Sequence, residues 1–67
     1  MKIFGERLRE LRKEKGLSCR ALAKILGTSD STIVFWENDK SEITGVNLVK
    51  LAKYFGVTSD YLLGLEN

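Results

Sequence analysis

The chain has 67 residues, 43% of them apolar, a formal net charge of +2, one cysteine, no histidine and no proline. One cysteine excludes an internal disulfide, and without histidine or a cysteine cluster there is no zinc site, no other cofactor motif and no common general base, so no enzyme is expected. No apolar run nears the ~20 residues that cross a bilayer, and the start, Met1-Lys2-Ile3-Phe4-Gly5-Glu6, is charged rather than signal-like, so a cytoplasmic protein without membrane contact or evident small-molecule ligand is expected.

Glycine punctuates the chain in place of proline. Gly16, Gly27, Gly56 and Gly64 each follow an apolar-periodic stretch, where a left-handed residue closes a helix. Ser18, Ser29, Thr44 and Thr58 each precede one, where a side-chain oxygen caps exposed amides. These signals bracket five helices, an all-α class. The first is predicted from about Ile3 to Lys15, with Phe4, Leu8 and Leu11 inward and a nearly fully charged opposite face. The second spans Cys19 to Leu26 and buries Leu22, Ala23 and Leu26. The third spans Asp30 to Glu37 or Asn38 and buries Ile33 and Trp36. The fourth, Gly45 to Phe55, buries Leu48, Leu51, Ala52 and Phe55. The fifth is short, Ser59 to Leu63. A single domain over residues 1–67 is expected. At this size it buries only about 60% of its unfolded surface, so dimerisation would help it.

The second and third helices are joined by Gly27-Thr28-Ser29. A three-residue connection opening on glycine is the spacing of a helix-turn-helix, here residues 18–38. A bundle of short helices could use the same turn, so spacing alone leaves both readings open. On helical geometry Ile33, Trp36 and Glu37 face inward, while Ser31, Val34, Phe35 and Asn38 share the opposite ~100° of arc.

The segments "LRELRKEKGLS", "LAKILGTS", "STI..WEN.K" and "LVKLAKYFGVTSDYLLG" resemble the lambda-repressor and Cro-like helix-turn-helix regulators of bacteria and phages. The resemblance runs from about Ile3 to Gly64. It implies a compact five-helix fold, double-stranded DNA bound through the third helix in the major groove, and a homodimer on a pseudo-palindromic operator. It also implies a salt bridge between Arg12 and Glu37. Both residues sit at the edge of an apolar stripe, where one charge is costly to bury without the other.

The DNA-facing positions depart from the family's usual residues. Cys19 and Asp30 stand where glutamine is common, and Phe35 where a polar or basic residue is common. Asp39-Lys40-Ser41-Glu42-Ile43 replaces a loop usually holding glycine, basic residues and proline. Asp30, Ser31, Val34 and Phe35 are the base-reading candidates, and Val34 and Phe35 can contact thymine methyl groups. Asp30 also suits the positive end of a helix dipole, and that simpler role is preferred for it. Cys19, Arg20, Asn38, Lys40 and Ser41 are the phosphate candidates. A helix N-terminus ordinarily lowers a thiol pKa, which would suit a redox switch at Cys19, but the simpler role of a small neutral residue is preferred for it. The apolar C-terminal segment, residues 58–67, is the expected dimer contact through Tyr61, Leu62 and Leu65. The expected function is a sequence-specific transcriptional regulator, a repressor. The alternative is a protein-interaction, antirepressor-like module whose third helix has become a partner surface.

Overall fold

The computed structural model describes residues 2–66. Met1 and Asn67, the outer ends of the expected domain and C-terminal segment, lie outside the described residues. The helices are α1 (Lys2–Glu14), α2 (Cys19–Leu26), α3 (Asp30–Glu37), α4 (Gly45–Phe55) and α5 (Ser59–Leu63). No described helix is long and apolar enough to cross a membrane.

Local chemistry sets these boundaries. Ser18, Ser29, Thr44 and Thr58 each accept a hydrogen bond from the backbone N–H three residues on, at Ala21, Thr32, Asn47 and Tyr61. Each thereby satisfies an amide that the first turn leaves without a helical partner. Gly27 closes α2 at φ 74°. α3 ends differently. Asp39 takes the left-handed conformation at φ 60°, the sole described non-glycine residue with positive φ. Lys40 N–H donates to Phe35 O at 2.8 Å and Asp39 N–H to Trp36 O at 3.3 Å. This is the paired closure of a Schellman motif, with aspartate where glycine is usual.

The core is formed by Phe4 and Leu8 from α1, Leu22, Ala23 and Leu26 from α2, Ile33 and Trp36 from α3, Leu51 and Ala52 from α4, and Leu62 from α5. Leu11, Leu48 and Phe55 pack against it half-buried, so the periodic stripes of α1 and α4 run slightly past the sealed interior.

α1 and α3 meet at Gly5. This residue is buried, and a Cβ built on it would lie 2.5 Å from the Glu37 carbonyl oxygen. The missing side chain therefore lets α1 lie directly on the last turn of α3. Two residues on, Arg7 donates to the Tyr61 and Glu66 carbonyls, and its guanidinium stacks 4.2 Å from the Tyr61 ring centroid.

Candidate nucleic-acid interface

The site is built around how α3 is held. Its inward face buries Ile33, Trp36 and Glu37. The Glu37 side chain is only 3% exposed and receives a two-pronged contact from Arg12, Nε to Oε2 at 2.6 Å and Nη2 to Oε1 at 3.0 Å. The third Arg12 prong, Nη1, donates to Leu17 O at 2.8 Å. Two charges can be buried together here because this fork geometry answers both carboxylate oxygens. Donation to the Glu37 carboxylate holds the Arg12 guanidinium above its already high ordinary pKa, against desolvation, which pulls the other way. The ion pair implied by the sequence is therefore present, linking α1 to the end of α3.

Arg9 is a third member that sequence reasoning missed. Its Nε donates to Glu37 Oε1 at 3.3 Å, and its Nη2 to Glu37 O at 3.4 Å and Asn38 Oδ1 at 3.1 Å. Its spacing from Glu37 in the chain gives no hint of this; only the crossing of α1 and α3 brings them together. The Arg9 side chain is 41% exposed, so its link is a surface contact of modest strength.

The outward face of α3 carries the base-reading candidates. Asp30, Ser31, Val34 and Phe35 are all exposed, Val34 by 40% and Phe35 by 50%. Asp30 Oδ1 accepts from the Ser31 amide at 3.0 Å, in the first turn of α3. That geometry supports the dipole role, with one carboxylate oxygen already engaged. Arg20, Asn38, Lys40 and Ser41 are exposed, Arg20 in the first turn of α2 and the other three directly after α3. Asn38 is partly committed, since its Nδ2 donates to Val34 O at 2.9 Å and its Oδ1 accepts from Arg9.

Two expectations need correction. Cys19 is half-buried and packs against the core rather than facing solvent. Desolvation by burial, reinforced by the nearby Glu37 carboxylate, pushes its thiol pKa up, although Arg12 pulls it down. The expected lowering by the helix terminus does not prevail, and Cys19 is the poorest placed phosphate candidate. Raising an acid's pKa above its unfolded value means that the folded state holds the proton more tightly. Its contribution to stability is complete below the unfolded pKa and disappears as pH rises through the folded one. At about pH 8.5, near an ordinary thiol pKa, iodoacetamide is expected to modify the folded chain several-fold more slowly than the urea-unfolded chain. Equal rates would show that the fold does not suppress the thiolate.

The second correction is Leu62, which is 0% exposed within its own protomer. It fills the core beneath α1 and cannot also face a partner; the short helix gave too little periodicity to tell inside from outside. Tyr61 is half-buried under Arg7, and Leu65 is exposed. Val46 and Val49 are further exposed apolar residues, on α4.

Comparison with known proteins follows the same outline. The helix-turn-helix domain family matches residues 5–67. The chain is 39% identical over 61 residues to Repressor protein C2 of Salmonella phage P22, covering 91% of this chain and 28% of that protein. A crystal structure of the P22 c2 repressor in complex with a synthetic operator superposes with a TM-score of 0.85 at 37% identity, covering 92% of this chain and 94% of that one. The restriction-modification controller protein C.AhdI from Aeromonas hydrophila superposes with a TM-score of 0.81 at 38% identity, covering 91% and 92%. The chain spans 28% of the P22 repressor and between 12% and 58% of the full length of other curated helix-turn-helix regulators that it resembles.

Proposed function

The chain belongs to the helix-turn-helix domain family, a lambda-repressor-like all-α fold, and from that premise we propose that it is a sequence-specific DNA-binding transcriptional regulator. It is proposed to act in the cytoplasm as a repressor, by occluding a promoter, and to be a binding protein rather than an enzyme. One observation carries the reading. α3 is bolted to α1 through Glu37, its opposite face, with Ser31, Val34 and Phe35, stands exposed, and the exposed Lys40 directly follows it. The P22 repressor, solved on an operator, has the same architecture. A rigid helix with an exposed face and flanking cations fits the major groove.

Contacts of this kind divide into those that position and those that read. Lys40 and Arg20 are the positioning candidates, with Asn38 and Ser41 as neutral donors; Ser31, Val34 and Phe35 are the readers. Lys40→Ala is expected to weaken all duplexes alike and to reduce the salt slope by about 1. Phe35→Ala is expected to cost about 1–3 kcal/mol on a selected operator and little on random DNA. Asp30→Gln should raise general affinity by removing a charge that repels phosphate. Titrating each protein against an operator selected from random duplexes and against a scrambled one provides the check. Equal, weak binding of the parent to both would sink the DNA reading in favour of the protein-interaction module.

A homodimer is part of the proposal, with Leu65 at the contact, Tyr61 at its edge and Leu62 withdrawn. Its support is the exposed apolar surface of Leu65, Val46 and Val49. Two-fold pairing would set the α3 helices about 34 Å apart, one turn of duplex. Sedimentation is expected to show a dimer at high micromolar concentration and a shift toward monomer in Leu65→Asp. A parent that stays monomeric with and without DNA would refute the dimer.

A further inference from the structure

We propose that the Val34–Phe35 pair makes DNA binding depend on pyrimidine C5-methyl groups, so that the protein accepts 5-methylcytosine as well as thymine and rejects their unmethylated counterparts. The inference rests on the DNA-binding reading above and specifies the chemistry that its outward helix face recognises.

Val34 and Phe35 are adjacent, 40% and 50% exposed, and have no polar side-chain atom. They lie on the side of α3 turned away from the buried Ile33 and Trp36. Base edges in the major groove are donors and acceptors, with one exception, the C5-methyl group of thymine. A polar edge pressed against Val34 or Phe35 would lose water and gain no partner, and so would be disfavoured. A methyl group loses nothing and is itself removed from water. The apolar pair therefore selects bases that carry a methyl group and penalises those that do not. In this respect 5-methylcytosine is equivalent to thymine.

Their neighbours point to DNA rather than an apolar protein surface. Lys40 directly follows α3 and Arg9 reaches its end through Asn38, while Ser31 and Asp30 share the outward face. The Asn38 Nδ2–Val34 O bond and the Lys40 N–H–Phe35 O bond tie the backbone of both readers into the helix end. The apolar pair is thus fixed in position beside the Ser31 hydroxyl and the Lys40 and Arg9 cations, with the Asp30 carboxylate, engaged by the Ser31 amide, as the opposing charge, and it fits a polyanion presenting isolated methyl groups.

The test uses the intact chain and an operator selected from random duplexes. Each thymine in a half-site is replaced in turn by uracil, which removes the methyl and leaves every hydrogen-bonding group. At one or two positions the parent is expected to lose about fourfold in affinity per methyl, the value of one buried carbon group. At the same positions a 5-methylcytosine–guanine pair should bind about fourfold tighter than cytosine–guanine. Both differences should vanish in Phe35→Ala or Val34→Ala, whose side chains are too short to reach the methyl from the same backbone position, and persist in Phe35→Leu, which is apolar and still long enough. If uracil and cytosine substitutions change nothing while the operator still outcompetes a scrambled duplex, methyl reading is overturned and DNA reading stands. If no duplex outcompetes the random pool, both are overturned, and loss of a protein complex in Phe35→Ala would then assign the face to a protein.

Discussion

Glu37→Ala is expected to destabilise the fold by about 3–5 kcal/mol, the usual cost of stripping one partner from a buried ion pair. That is a large part of the ~3–10 kcal/mol that a chain of this length has in total. The loss does not measure an attraction. It reflects Arg12, whose side chain is 13% exposed, left without the carboxylate that answers two of its donors. Arg9 adds little, because its exposed end can turn back to water. The double change Arg12→Met with Glu37→Leu should recover much of the stability, since apolar side chains of similar volume do not have to desolvate a charge. Urea midpoints of the three proteins decide it. A Glu37→Ala midpoint equal to the parent's would show that the pair contributes nothing.

Gly5→Ala should have the opposite sign from the helix-propensity expectation. In a helix interior alanine is favoured over glycine by about 1 kcal/mol. At Gly5 the added carbon would come within 2.5 Å of the Glu37 carbonyl oxygen and 2.9 Å of the Trp36 carbonyl oxygen. Both are backbone atoms and cannot rotate aside, so α1 and α3 must separate. Overpacking of this kind costs about 1–3 kcal/mol, occasionally more. Separation also stretches the Arg12–Glu37 contact, so the net loss is expected at about 2 kcal/mol or above. Gly45→Ala is the control. It changes the same residue type at the first position of α4, where an added Cβ meets nothing within 4 Å, and should be neutral or stabilising. If both substitutions raise the urea midpoint, the close crossing of α1 and α3 is wrong.

These two sites show where sequence reading succeeds and where it stops. Helix ends were legible because their causes are local: a hydroxyl three residues before an amide, or a glycine where φ turns positive. The same local logic missed Asp39, because aspartate tolerates the left-handed region without advertising it. The sequence makes Gly5 look like a weak point within a helix; only the crossing makes it a requirement. Arg12–Glu37 came from the family resemblance, and Arg9 stayed invisible because a charged helix face ordinarily meets water. Leu62 was misassigned because five residues of α5 cover too little of a turn pattern to reveal which side is covered. The exposed candidates on α3 were legible from helical periodicity once Ile33 and Trp36 were placed inside. What they touch depends on a partner's chemistry, which periodicity does not contain.

The bolt between Glu37 and Arg12 also bears on the entropy of association. A helix fastened at its last turn, capped by Ser29 and closed at Asp39, would enter a groove with its backbone already ordered. Ordering on binding is then confined to side chains, and valine and phenylalanine have few torsions to lose. Little of the interaction is lost to folding, so a weak contact such as a single methyl group can still be felt. For a preorganised surface, partners that differ by such contacts meet at similar rates and separate at different ones. Discrimination between operator and non-operator would thus reside in how long the complex lasts.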